Sequence, residues 1–549
     1  MASSNLETPA GLSNDSITTT SAVARDTNRS TSPSPERKSE TSSRPVGSSF
    51  LFPSGERAKS WQDSYLFELL GERGAQMYET SEKGQNVQVS DIEEVTKVQQ
   101  AQQNAHDHGA IPKTLGWKGA FFNQVAYAIA LGILSIPLVA VSLGVVPFVL
   151  LTFLFAYICW YTGDQYWKLK MRFPGVQNLQ DAGFLMFGPW GARFLGAAQF
   201  IFSVFLQGNH VLLGAQAFHV LGWHSCAIAL AAVFAVISFL FTLPRSYKLF
   251  SISAFVSFSS IVVVLFSISA FVSFSSIVVV VIFAMIASGV TGPQNAPVGA
   301  PPIKVVAFGP APGIKVDFLT GFLYVLNLFV SFGAIPSYLP IISEMRKPTD
   351  FRKSLFVLVG VQLVLYLIVG GVIYNNLGQY TTSPSLNSLS YTMSRIAYGL
   401  ALPTILIAGC ESGQVANKHL YIIVFRSRPQ HIHNSTKLGW IVWTLINALT
   451  WVLAFILAEL IPFFSSFLGL EAALFWSLFT GLSAVMWLYL NQGRWVESWR
   501  KIVGLIVAVL VIAISAVICV AGVWASAISI RDSYNTGSVG SPFSCNSVS

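Results

Sequence analysis

Past Trp117 the chain alternates between long apolar stretches and short polar connections rich in Gly, Pro, Asn and charge. A helix needs about 20 apolar residues to cross a hydrocarbon core about 30 Å thick. Eleven stretches reach that length: 117–142, 147–168, 193–218, 225–243, 248–288, 318–343, 352–377, 388–424, 438–459, 463–490 and 501–528. The pattern predicts an all-α integral membrane protein with eleven transmembrane helices.

The basic residues test that count. With the N-terminal side inside, the inside connections carry 19 Lys and Arg, from Lys113 and Lys118 through Lys168, Arg346 and Lys418 to Arg500 and Lys501. The outside connections carry only Lys304, Lys315, Arg395 and Arg531. Cytoplasmic connections of membrane proteins are enriched in this way, so the asymmetry predicts a cytosolic N-terminus and an extracytosolic C-terminus.

Composition agrees. Of 549 residues, 53% are hydrophobic and 11% charged, with a mean hydropathy of +0.58; soluble domains carry about 25% charge, which excludes an ordinary soluble enzyme. The net +8 is not a nucleic-acid signature, because the excess positive charge sits between the apolar runs. Residues 1–112 form a cytosolic, largely disordered tail by composition, 113–530 the transmembrane domain and 531–549 a short extracytosolic tail. The first 50 residues hold 20 Ser and Thr and no apolar signal-peptide core. Ser32-Pro33 and Ser34-Pro35 are candidate phosphorylation sites, and Ser90 with Glu93 suits a capping box. The sequons at Asn14, Asn28 and Asn434 fall inside and are expected to stay unused. Five cysteines are too few and too scattered for a disulfide framework; Cys159, Cys410 and Cys519 read as small buried side chains.

Residues 249–264, LFSISAFVSFSSIVVV, recur letter for letter at 265–280. With both copies the fifth stretch is about 60 Å long as a straight helix, twice the hydrocarbon core. Sixteen residues at about 100° each also rotate the remainder of the helix by about 160°. One copy gives a normal span, so the second reads as a gene-model error or a recent duplication.

The chemistry is expected at two interruptions. The first stretch holds Gly132-Ile-Leu-Ser-Ile-Pro137, and the sixth holds Phe332-Gly333-Ala334-Ile335-Pro336. Proline removes a backbone donor and clashes with the carbonyl four residues back. Backbone groups freed at the membrane midplane are tolerated only where they line a cavity or a ligand. First and sixth are corresponding positions in two five-helix halves, and paired interruptions there point to a transporter site. Freed N–H groups suit a carboxylate and freed carbonyls an ammonium, which together describe an amino-acid zwitterion. The predicted substrate-binding positions are Gly132, Ile133, Leu134, Ser135, Phe332, Gly333 and Ala334.

Three segments carry a resemblance: GILSIP at 132–137, QGNHVLLGA at 207–215 and FGAIPSYLPIISEM at 332–345. Through them, over residues 112–528, the chain resembles the amino acid/auxin permease family, most closely its fungal neutral amino-acid permeases. The resemblance implies a five-plus-five inverted repeat with broken helices 1 and 6 and cation-coupled uptake of amino acids. Ala130 stands where the family often has Gly. Ala126 stands where sodium-coupled animal relatives carry an ion-binding Asn, which favours protons over sodium.

Ionisable side chains within spans are costly to bury, so each is a functional candidate. Glu411, Glu471 and His210 are candidate proton carriers, with Glu411 favoured because the eighth span runs beside the first-span break in this fold. Thr404 and Ser394 could offer oxygens to an ion there. Asp164, Glu344 and Glu459 lie at span ends and read as interfacial. No nucleotide-binding loop, CxxC pair, HExxH or GxSxG motif occurs. The expected function is proton-coupled symport of neutral amino acids by alternating access; the protein is not an enzyme, and neither metal nor organic cofactor is expected. The alternative is a non-transporting amino-acid sensor of the same fold; a membrane-embedded enzyme would need a His, Asp or Glu cluster at one face. Expected partners are an amino-acid substrate, the bilayer and cytosolic regulators of the tail, with no nucleic acid. The expected location is the plasma membrane, with vacuole or endosome as alternatives.

Overall fold

The structure, a computed structural model, describes residues 115–129, 132–243, 259–294, 296–297, 299, 301–425, 431, 436–492, 494–535 and 542–545. The tail to Lys113, its phosphorylation and capping motifs, the three sequons and Ala130 lie outside the described residues. Within these bounds the regular elements are helices, with one isolated β-bridge between Leu115 and Met345. The first expected span is α1 (Trp117–Ile129), a 3-10 turn (Gly132–Leu134) and α2 (Pro137–Leu143). Next come α3 (Val145–Arg172), α4 (Leu179–Val220), α5 (Ala227–Thr242) and α6 (Ser259–Thr291). The sixth span is α7 (Phe318–Ser331) and α8 (Ile335–Glu344), followed by α9 (Phe351–Leu377), α10 (Tyr391–Phe425) and α11 (Lys437–Leu460). The tenth is α12 (Phe464–Glu471), a π-helical turn (Ala472–Trp476) and α13 (Ser477–Leu490); α14 (Trp499–Asn535) closes the chain.

Eight of these units, among the described residues, are long and apolar enough to cross a membrane. The sequence count of eleven requires three more: the broken first span, α4, and α5, which is apolar but only 16 residues long. Polar residues buried along α4 (Gln199, Gln207, Asn209, His210 and Gln216) dilute its hydropathy. α4 also begins earlier than its apolar run suggested and is 42 residues long, bent at Gly188-Pro189, where Gly188 takes φ +66°. Proline forces such a bend because it cannot continue the hydrogen-bond ladder.

Contacts between connections support the expected arrangement. Two connections that touch lie on one face, so an even number of crossings must separate them. Leu115 exchanges backbone bonds with Glu344 and Arg346, six expected crossings away. Val145 and Val146 donate to Val306 and Ala307 across four. Arg172 donates to the Leu490 carbonyl across eight. Cys226 and Cys545, also eight crossings apart, form a disulfide. That bond corrects the reading of the cysteines: five do not make a framework, but two of them make a bridge. Distance in sequence had hidden the pair, 319 residues apart.

Hydrocarbon gives helices no hydrophobic reason to associate, so close packing and interhelical hydrogen bonds hold the bundle. α10 packs along α4, α6 and α11. Asn417 Nδ2 donates to Asn447 Oδ1 (2.8 Å), and Thr450 Oγ1 to Asn417 Oδ1 (3.0 Å), joining α10 to α11. At the inner ends, buried Asp164 accepts from Lys168 (2.7 Å) and Arg352 (2.9 Å). Asp317 caps α7; hydrogen bonds from Thr320 hold its carboxyl below the ordinary range.

α6 spans 33 residues, about 50 Å at 1.5 Å each. Its overlength is not unique, since α4, α10 and α14 have 42, 35 and 37 residues. Among the residues whose side chains are described, Phe271–Thr291 is long and apolar enough to cross a membrane, and Ser273, Ile277 and Val280 of the second copy are buried along it. Residues 249–258 of the first copy lie outside the described residues. A chain lacking residues 249–264 is expected to match or exceed the full chain in yield and uptake. Detergent-solubilised melting and radiolabelled uptake check this; loss of both on deletion would make the extra copy an integral element.

Candidate functional site

Both interruptions occur where the sequence placed them. In the first span the described helix runs to Ile129, Gly132–Leu134 make one tight turn, and Pro137 opens α2 with its φ already set for a helix. Ser135 satisfies the Gly132 carbonyl twice, through its N–H (3.0 Å) and its hydroxyl (2.8 Å). In the sixth span α7 ends at Ser331 and α8 begins at Ile335. Side chains from neighbouring helices meet the freed carbonyls. Tyr366 Oη (2.5 Å) and Gln362 Nε2 (3.2 Å) donate to Ser331, and the Cys159 thiol donates to Phe332 (2.7 Å). The N-terminus of α8 has no side-chain cap, but Pro336 carries no N–H and the Ser337 N–H donates to the Ala334 carbonyl (3.0 Å), which leaves only the Ile335 N–H of the first turn.

The two breaks touch. A Cβ added at Gly132 would land on the Ser331 side chain, and one added at Gly333 would fall within the Trp476 indole. Only glycine permits both approaches.

Beside this contact lies a cavity of about 30 Å³, lined by Tyr127, Gly132, Phe202, His210, Ser331, Gly333, Glu471 and Trp476 among others. That space holds one or two waters. Asn209 Nδ2 donates to Glu471 Oε2 (2.6 Å), while Glu471 Oε1 has no partner among the described residues. The His210 ring contacts the Leu206 carbonyl through Nδ1 (2.7 Å). A carbonyl only accepts, so Nδ1 carries a proton, and Nε2, itself unpartnered, is the acceptor in the neutral ring. Tyr127, whose hydroxyl is also unpartnered, lies within electrostatic reach of both Glu471 and Glu411. Among the described residues, no Lys or Arg lines this cavity.

Of the sequence-nominated residues, Gly132, Gly333, Glu471 and His210 line this cavity. Ile133, Leu134, Ser135 and Ala334 are buried in the break backbones, and Phe332 faces a second cavity beside Cys159. Glu411 is buried with neither carboxylate oxygen hydrogen-bonded, but it does not line the central cavity. Thr404 donates to the Ser273 carbonyl on α6 (2.8 Å), and Ser394 is buried outside the cavity lining. Glu344 faces Lys418 at 3.9 Å, and Glu459 is buried at the end of α11. Asn209, Tyr127, Ser331 and Trp476 were not nominated. Asn209 sits inside the QGNH segment, the one signal that pointed to it.

A multi-helix membrane domain whose two interrupted spans meet at a shared cavity is an architecture that points to a transporter. The chain belongs to the transmembrane amino acid transporter protein family, whose model matches residues 113–528. It is therefore an amino acid transporter, integral to the membrane, and not an enzyme. It is 29% identical over 437 residues to an N amino acid transport system protein of Neurospora crassa, covering 78% of this chain and 88% of that one. It is 25% identical to a transmembrane transporter of Gibberella moniliformis, covering 79% and 88%. Among solved structures it is similar to a nucleobase-cation-symport-1 family transporter in a closed conformation with bromovinylhydantoin bound. There the identity is 12% and the TM-score 0.45, over 78% of this chain and 95% of that one.

Gly132→Leu and Gly333→Leu are each expected to abolish uptake while leaving membrane expression largely intact, since the added side chain fills the contact between the breaks. Uptake normalised to surface protein checks this; normal transport by both would reduce the breaks to packing features.

Proposed function

We propose that this transporter is a proton-coupled symporter of neutral amino acids working by alternating access. The observation that carries the reading is the shared cavity, in which both helix breaks meet a carboxyl and an imidazole that each retain an unpartnered atom. The substrate's carboxylate is expected at the uncapped start of α8 and its ammonium against break carbonyls. Absence of basic side chains from the lining leaves no partner for an acidic substrate, and the name of the Neurospora relative fits an amino-acid cargo.

Proton rather than sodium coupling is supported by Ala126, which offers no side-chain oxygen, and by the titratable Glu471, His210 and Glu411 nearby. Alternating access is supported by closure on both sides. Residues 306–311 bond to residues 141–146 over one end of the first break, and Leu115 bonds to Glu344 and Arg346 at the other. An amino acid is larger than the 30 Å³ cavity, so loading requires one closure to open. The plasma membrane is the proposed location, with the N-terminus cytosolic, as the basic-residue asymmetry supports.

Uptake is expected to rise as external pH falls, because the proton enters with the substrate, and to collapse with a protonophore. Glu471→Gln and Glu411→Gln are each expected to flatten that pH dependence, Glu471→Gln the more because its carboxyl lines the site. Radiolabelled uptake in a transport-deficient yeast measures both; uptake that requires sodium and ignores pH would refute the coupling. Reporter fusions at the two ends are expected on opposite faces.

A further inference from the structure

A second cavity, of about 10 Å³, shares Gly333 and Trp476 with the first. Its walls are mainly apolar, formed by Phe155, Ile158 and Cys159 of α3 and by Phe329, Phe332 and Ile335 around the sixth-span break, with Thr162 and Thr480 as its hydroxyl-bearing members. The indole is thus a wall common to both cavities. Taken separately, each cavity is smaller than an amino acid. Displacing that shared wall would join the site at Gly132 and Ser331 to the recess.

Three features make Trp476 a movable wall rather than fixed packing. It is the last residue of the π-helical turn, where one extra residue loosens the regular ladder; such turns concentrate at functional sites. It rests on Gly333, which has no side chain to hold it, and on the tilted Phe202 ring at 5.5 Å. Its indole N–H makes no hydrogen bond among the described residues. The buried indoles of Trp443 and Trp451 are by contrast pinned, to the Leu243 carbonyl (2.8 Å) and Thr242 Oγ1 (3.2 Å).

We infer that Trp476 is a specificity-determining partition, and that the cavity beside Cys159 is the side-chain subsite for neutral amino acids with large aliphatic or aromatic side chains. Small neutral amino acids occupy the central cavity once one closure has opened it, with the indole left in place. Large ones must displace the indole and place their side chain between α3 and the sixth-span break. The inference rests on the proposed site at the two breaks and adds what selects among its substrates.

The test compares alanine with leucine and phenylalanine as substrates. Trp476→Ala joins the cavities permanently and is expected to raise the leucine-to-alanine ratio of Vmax/KM at least tenfold. Cys159→Leu fills the recess and is expected to lower that ratio at least tenfold; because it also removes the donor to the Phe332 carbonyl, it is read against Cys159→Ser, which keeps a donor there and is expected to leave the ratio near wild type. A readout independent of turnover uses the thiol. With Cys410 and Cys519 replaced by Ser and the disulfide intact, phenylalanine is expected to protect Cys159 from a small methanethiosulfonate reagent, and alanine is not. Equal protection by both, or variants that scale all substrates alike, would overturn the partition. Should Cys159→Leu fail to fold, the Trp476→Ala ratio and the labelling still decide. Normal uptake by the Gly132→Leu and Gly333→Leu variants would instead remove the site on which the subsite depends.

Discussion

Everything in this bundle answers to one constraint: a backbone N–H or C=O inside hydrocarbon must find a partner within the protein. A regular helix meets that demand internally along its length. The two interrupted spans do not, and they are therefore placed where neighbours can complete them. Tyr366 and Gln362 from α9 reach the Ser331 carbonyl, Cys159 from α3 reaches Phe332, and Ser135 folds back on Gly132. The surrounding helices are positioned to deliver those groups. What remains at the uncapped start of α8 is the N–H of Ile335, a residue that lines the cavity beside Cys159.

The same constraint explains why the breaks were legible in the sequence. Proline and glycine act locally through backbone geometry, so Gly132, Pro137, Gly333 and Pro336 announce an interruption wherever the chain folds around them. Helix existence was legible because an apolar run of membrane length has few alternatives. Side-chain partnerships were not. Nothing local says that Asn209 meets Glu471 across 262 residues, that Thr404 turns to α6, or that Cys226 meets Cys545. Apolar periodicity is equally blind to the π turn at Ala472–Trp476, which changes register by one residue without changing composition.

That register change shapes the site. Glu471 immediately precedes the π turn and Trp476 ends it. In an unbroken α-helix, residues five apart lie about 140° from one another and would not share a cavity wall easily. The π turn takes up the difference, so one helix presents both the carboxyl held by Asn209 and the indole over Gly333 to the same space. The proposed proton chemistry and the proposed side-chain selection would thereby be carried on adjacent turns of a single element.

Adjacency of this kind would couple the two proposed events mechanically. If the indole is displaced by movement of the π turn, the first backbone beyond that turn is the one bearing Glu471. The carboxyl's hold on Asn209, a single 2.6 Å bond to α4, would then be exposed to the same movement. On the proposed mechanism a substrate large enough to move Trp476 would perturb the pair that a coupling proton would titrate, whereas a small one would leave it in place. The fold thus offers a physical route by which the identity of the cargo can set how tightly transport is tied to the proton, without any contact between cargo side chain and carboxyl.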